Sequence, residues 1–289
     1  MSRLLLAALL LHQTVISVHT ELVTVPVTVT DRRGHPVNGL QRDDFRVFED
    51  GRPQPIAAFR HGDEALTLGL VVDRSGSMRS KTQALFVAVS ALLRASRSDS
   101  ELFAVEFNDG VSLALRNGQT FTNDAGEVRA ALVAAPAEGR TALYDGVILG
   151  LQQLERGHAD RKVLIVVSDG GDNASRRTAA EVLELAHRSD VVIYAIGLLG
   201  DPMGEEEDAG VLKRLCRDTG GAAYFPRTLA DVAAVSSAVA DGLREQYTLG
   251  FAPRAATDGP PFRRITVTVT ASARSHLHVR TRSGYVIRP

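Results

Sequence analysis

Five oxygen-bearing side chains could do chemistry in this sequence. Three of them, Asp73, Ser75 and Ser77, alternate along Leu70-Val71-Val72-Asp73-Arg74-Ser75-Gly76-Ser77-Met78. In an extended turn, residues two apart point the same way, and Gly76 permits a tight backbone between them. Three converging oxygens suit a hard cation such as Mg²⁺. The same stretch also reads as a plain helix N-cap, because Asp and Ser are preferred capping residues and a helical pattern begins near Arg79. Two further polar breaks carry the remaining oxygens. Thr141 lies in Glu138-Gly139-Arg140-Thr141-Ala142-Leu143-Tyr144-Asp145, a loop that opens a helix. Asp169 follows the apolar run Ile165-Val166-Val167 and ends a buried strand, as Asp73 does.

The elements that must position these residues follow from hydrophobic periodicity. Residues 66–72 are an uninterrupted apolar strand, and 80–96 has apolar residues at helical spacing. Strands at 101–107, 163–167, 191–198 and 222–225 alternate with helices at 124–135, 142–156, 178–188, 208–219 and 229–246, with 111–115 as a hairpin partner of 101–107. Such alternation predicts an α/β fold: a doubly wound, mostly parallel sheet with helices on both faces. The first sixty or so residues and the stretch after Phe251 are instead all-β, and each is too small to fold alone. The two β segments are therefore expected to pair into one β-sandwich flanking the α/β core. The expected organisation is a signal peptide within 1–20, an N-terminal β segment at 21–64, the α/β domain at 65–250 and a C-terminal β segment at 251–289.

In a doubly wound sheet, ligands sit beyond the carboxyl ends of the strands where the winding reverses. There the strand ends bearing Asp73 and Asp169 would be neighbours. Two carboxylates so close are costly unless a cation neutralises them or one takes a proton. Counting Asp73, Ser75, Ser77, Thr141 and Asp169 gives five oxygen ligands, which leaves an octahedral ion room for water or an outside carboxylate.

Asp73-x-Ser75-x-Ser77, then Thr141, then Asp169, resembles the metal-ion-dependent adhesion site of von Willebrand factor type A (VWA) domains along residues 66–246. Nearly the whole chain is similar, more narrowly, to the bacterial VWFA-related Acidobacterial domain family. That likeness rests on Val27-Thr28-Val29-Thr30-Asp31-Arg32-Arg33-Gly34, Asp44-Phe45-Arg46-Val47-Phe48-Glu49-Asp50-Gly51, Thr141-Ala142-Leu143-Tyr144-Asp145, Tyr194-Ala195-Ile196-Gly197, Thr219-Gly220-Gly221 and Ser283-Gly284-Tyr285. The resemblance implies non-catalytic, Mg²⁺-dependent protein binding, with Mn²⁺ or Ca²⁺ as substitutes. It implies that Ser75, Ser77 and Thr141 ligate the ion directly or nearly so, that Asp73 and Asp169 act partly through water, and that a Glu or Asp of a protein partner completes the shell. It also implies that the last helix, 229–246, shifts on ligand exchange. Two other functions are weighed: an assembly or chaperone subunit working with an ATPase, and a Mg²⁺-dependent phosphotransfer enzyme with Asp73 as nucleophile. The second is disfavoured because Ser75 stands where a second carboxylate is common, no motif fixes a lysine near the site and no His/Ser/Asp set is evident.

Composition excludes other classes. A net charge of −1 gives no footprint for nucleic acid, and no later apolar run approaches the length of a membrane span. The single cysteine, Cys216, excludes an internal disulfide and reads as a small core residue. The apolar run Leu4 to Leu11 behind Ser2-Arg3 resembles a short signal peptide, so an extracytoplasmic location is expected. Asp145 is expected to serve the first turn of its own helix and Asp172 a tight turn. His35, His61, His158 and His187 are scattered without metal spacing.

Overall fold

The computed structural model describes residues 22–62, 64–116, 118–134, 136–169, 171–198, 206–253, 261–270 and 276–287. The expected leader within 1–20 lies outside these residues.

The chain begins with four strands, β1 (Val23–Thr30), β2 (Phe45–Glu49), β3 (Arg52–Gln54) and β4 (Ala58–His61). The α/β unit follows as β5 (Leu66–Asp73), α1 (Thr82–Leu92), β6 (Glu101–Phe107), β7 (Val111–Leu113), α2 (Ala125–Ala134), α3 (Leu143–Glu155), β8 (Arg161–Ser168), α4 (Ala179–Arg188), β9 (Val191–Gly197), α5 (Glu206–Thr219), β10 (Ala223–Tyr224) and α6 (Leu229–Arg244). Four strands close the chain: β11 (Tyr247–Phe251), β12 (Phe262–Val269), β13 (His278–Thr281) and β14 (Gly284–Val286).

The central sheet has the order β10-β9-β8-β5-β6-β7, parallel except for the β6–β7 hairpin. β5 is buried along its whole length, which is why its sequence is mostly apolar, Thr67 and Asp73 excepted, rather than alternating. Its even-numbered residues Leu68, Leu70 and Val72 pack with α1, α2 and α6 on one face. Val71 packs with α3, α4 and α5 on the other. Winding runs from β5 out to β6 and returns to β8 on β5's opposite side, so it reverses at the β5/β8 boundary. Helices α4 and α6 each start with a capping box, Thr178 with Glu181 and Thr228 with Asp231.

The two β segments pair as expected. One sheet runs β13-β1-β11-β4 and the other β14-β12-β2-β3, so each mixes strands from both ends of the chain. Between them lies a separate core that includes Val25, Val27, Phe45, Val47, Tyr247, Leu249, Phe251 and Ile265. Strand β11 spans the boundary expected at residue 250 and lies wholly in this sandwich, between β1 and β4. The sandwich therefore claims the chain almost directly after α6. Pro26 is tolerated inside the central strand β1 because β13 pairs only with Val27–Thr30, leaving Pro26 beyond that ladder.

Buried arginines fasten the two units. Arg282 is held against Asp190 at 2.6 Å and the Ser189 carbonyl at 3.1 Å, tying the β13–β14 turn to the start of β9. Arg161, at the foot of β8, donates to the Leu243 carbonyl at the end of α6 and to Gln246 Oε1. Among the described residues no helix is long and apolar enough to cross a membrane.

Candidate metal centre

Asp73 is the last residue of β5 and is fully buried. Its Oδ1 accepts the Ser75 N–H at 2.8 Å and its Oδ2 accepts the Ser168 hydroxyl at 2.7 Å. Ser168 ends β8, so this bond joins the two strand tips at the switch point. Burial pushes the Asp73 carboxyl above the ordinary aspartate value; the Ser168 and Ser75 bonds pull it back, and the nearby Asp169 charge adds to the rise.

The capping alternative for Ser75 and Ser77 is not what the chain adopts. Ser75 stands at the N-cap of a 3₁₀ turn, Gly76–Lys81, yet its side chain caps no backbone group. Its hydroxyl faces that of Ser77 at 3.0 Å. The single helix expected at 80–96 is thus split into this turn, α1 and a second 3₁₀ turn, Leu93–Ala95. Gly76, Ser77 and Ser80 are weak helix formers, and the turn before α1 tightens accordingly.

Three loops are stitched together around these residues. The Gly139 carbonyl accepts the Gly76 N–H at 3.0 Å, joining the Thr141 loop to the Asp73 loop. The Thr141 carbonyl accepts the N–H groups of Asn173 at 2.9 Å and Ala174 at 3.0 Å, and Asn173 Oδ1 accepts the Thr141 N–H at 2.9 Å. Those bonds bring the Thr141 loop against the loop that carries Asp169. Thr141 itself is buried.

Asp145 and Asp172 hold the same loops from behind. Asp172 Oδ1 accepts the Tyr144 N–H at 3.3 Å and the Ser175 hydroxyl at 2.6 Å, so it satisfies the first turn of α3 from across the gap. Asp145, expected to serve that turn, instead accepts the N–H groups of Arg176 and Arg177 at 3.0 and 3.1 Å. Asp145 thus leaves its own helix turn for the opposite loop, while Asp172 keeps its local turn partner Ser175 and serves the α3 turn as well.

Lys81 was invisible to motif reasoning. Its Nζ donates to Asp169 Oδ2 at 2.8 Å, and the two side chains are only 20% and 11% exposed. The 3₁₀ turn swings Lys81 back over the site. A basic residue four positions after the Asp73–Ser77 turn is the only hint the sequence offers.

The donors gathered here are carboxylate and hydroxyl oxygens, the set a hard divalent ion prefers. Among the described residues no three His, Cys, Asp or Glu side chains cluster as a metal site. Each Asp73 oxygen accepts one hydrogen bond from the protein.

Comparison with known proteins follows the same line. The family model of the von Willebrand factor type A domain matches residues 68–239. A Synechocystis sp. protein described as uncharacterized is 30% identical over 109 residues, 37% of this chain; the match spans only 26% of that protein's length. Among solved structures, a von Willebrand factor type A protein from Catenulispora acidiphila superposes with a TM-score of 0.55 at 13% identity, covering 86% of this chain and 75% of that one. Coverage on that scale reaches past the α/β unit into the flanking strands. Proximal thread matrix protein 1 from the mussel byssus gives a TM-score of 0.52 at 15% identity, over 65% of this chain and 48% of that one. At such identities the likeness concerns the fold. With the family model covering well over half of its residues, the chain belongs to the von Willebrand factor type A domain family.

Proposed function

We propose that this chain is a metal-dependent protein-binding module in which Asp73, Ser75, Ser77, Thr141 and Asp169 hold a divalent cation that accepts a Glu or Asp carboxylate from a partner. VWA domains are interaction modules, and that much comes with the family. The observation that carries the finer reading is the meeting of three hydrogen-bonded loops at the β5/β8 switch point, where the Ser75 and Ser77 hydroxyls face each other instead of capping a helix. When bound, Mg²⁺ would supply a positive charge offset mainly by neutral hydroxyls, leaving it receptive to an anionic oxygen. The chain's part is to orient the donors. Ser168 and the Ser75 N–H fix the Asp73 carboxylate, Asn173 fixes the Thr141 loop, and Asp172 with Asp145 brace the loops from behind.

Burial weighs against the phosphotransfer alternative. A nucleophilic aspartate needs a free oxygen with access to substrate, whereas Asp73 is fully buried with both oxygens hydrogen-bonded. Lys81 beside Asp169 adds a cation to the site but does not expose Asp73.

Calorimetry with Mg²⁺ and Mn²⁺ tests the assignment. The wild type is expected to bind one ion per chain, Asp73→Ala and Asp169→Ala to lose it, and Thr141→Val to weaken it with the fold intact by circular dichroism. Unchanged binding in both aspartate variants would refute the site. A protein captured by the wild type in Mg²⁺ should be released by excess chelator; capture that persists in chelator would place docking elsewhere.

A further inference from the structure

Next to the metal centre, on the α1/α2 face of the sheet, lies a groove of about 370 Å³ lined by Leu85, Phe86 and Val89 of α1, Leu132 and Val133 of α2, and Arg74. Its mouth is apolar and open to solvent: Phe86 is 45% exposed and Val133 57%. Its floor holds a cation. Arg74 follows Asp73 directly and is only 5% exposed, yet its guanidinium makes no hydrogen bond or ion pair with any described residue, and its Nε is buried without a partner. Only its backbone is engaged, donating to the Phe107 carbonyl and accepting from the Glu138 N–H.

A buried guanidinium nitrogen without an acceptor is uncommon, because burying an unpaired polar group is costly. Burial lowers its basicity, and the Glu106 and Asp73 charges oppose that fall without bonding to it. Arginine stays protonated under any such pull. Glu106 sits on the same face of the sheet with its Oε2 also unpartnered, so the two neighbouring groups do not satisfy each other. What Arg74 lacks is a bonded acceptor, and what the groove offers beside it is apolar surface.

We infer that the α1/α2 groove is a second docking site, for a peptide segment of a protein partner that carries a carboxylate beside a large apolar side chain. The carboxylate would reach Arg74, which suits bidentate recognition, while the apolar group lies between Phe86 and Val133. The volume is at the lower end of small-ligand pockets, enough for one side chain with its acid. Arg74 and Asp73 are adjacent in sequence, so one partner can engage the groove and the metal centre together. That shared use rests on the function proposed above; the groove's own chemistry does not.

The test is run in excess chelator, so that failure here leaves the metal reading untouched and failure of the metal reading leaves this one. The probes are N-acetylphenylalanine, which carries the free carboxylate, and its primary amide, each titrated into the ¹⁵N-labelled full chain and followed by amide shifts. The acid is expected to shift residues of α1 and α2 and to bind about tenfold tighter than the amide, the margin of a charge-assisted pair over a neutral one. Arg74→Met should erase that preference while the apolar contact persists. Should Arg74→Met fail to fold, Val133→Asp at the exposed rim serves instead and should weaken the acid more than the amide. Shifts confined to other elements, equal affinity for acid and amide in the wild type, or a preference that survives Arg74→Met or is untouched by Val133→Asp would overturn the inference.

Discussion

Replacing Gly139 by alanine isolates what holds the Thr141 loop in place. Gly139 has φ +81°, in the left-handed region, where an L-residue costs about 1–2 kcal/mol. An added Cβ would also stand against the Asp109 carboxylate. Asp109 can swing away only by leaving Arg140, whose Nε it accepts at 3.0 Å. Those side chains are 55% and 67% exposed, so solvent screening leaves the pair adding little. Together Gly139→Ala should cost about 2 kcal/mol, read from urea unfolding. In an Asp109→Ala background the clash disappears and the backbone strain remains, so the same substitution should cost only about 1 kcal/mol. Because the Gly139 carbonyl anchors Gly76, Mn²⁺ affinity should fall in both backgrounds. Equal stability costs in the two backgrounds would show that the carboxylate contributes nothing. No cost in either would refute the idea that this loop is locked by its backbone.

Lys81→Met removes the ammonium from a mostly buried Asp169 and should cost about 2 kcal/mol without divalent ion, less than a fully buried pair would. With its competitor gone, Asp169 should hold Mn²⁺ more tightly, and calorimetry showing equal or weaker binding would sink that reasoning. Glu101 offers a pH test. Burial raises its carboxyl, but the His158 ring, the Thr67 hydroxyl and the His158 N–H outweigh that and hold it below the usual glutamate value of 4.5. A depressed acid stabilises the fold above its unfolded value, and that stability goes as pH falls from 4.5 through the lowered folded value. Glu101→Gln should flatten this part of the stability curve, and an unchanged slope would refute the role.

The parts of this molecule that the sequence reveals are those fixed by periodicity. β5 is recognisable because a strand buried on both faces must be mostly apolar, and β6 because its limits, Glu101–Phe107, fall at polar breaks. The approach of Asp73 and Asp169 follows from winding rules alone, since both sit at the ends of strands that must be neighbours. What stays hidden depends on side chains crossing between elements. Nothing local predicts that Asp145 and Asp172 reach across to each other's loops, because each has a plausible partner in its own turn. Lys81 reaches Asp169 only because the expected helix start tightens into a 3₁₀ turn. The strand Tyr247–Phe251 reads as the tail of the α/β unit, and only its pairing with β1 and β4 assigns it to the sandwich. Arg74 gives no signal of its own: a charged residue after a strand end is ordinary until its burial is known.

The split sandwich sets a timetable for synthesis. Val27 pairs with Thr281, so β1 leaves the ribosome about 250 residues before its outer neighbour, a wait of roughly 10–50 s at ordinary translation rates. The α/β unit, which ends at Arg244, is complete before β13 follows at His278–Thr281. Meanwhile β1, a run of Val and Thr with both edges bare, is the kind of segment that recruits other chains. Pro26 sits in the middle of it, within the strand but outside the β13 ladder. A proline there withholds one donor from any stray strand and costs the finished sheet little, so it works as a guard for a nascent edge.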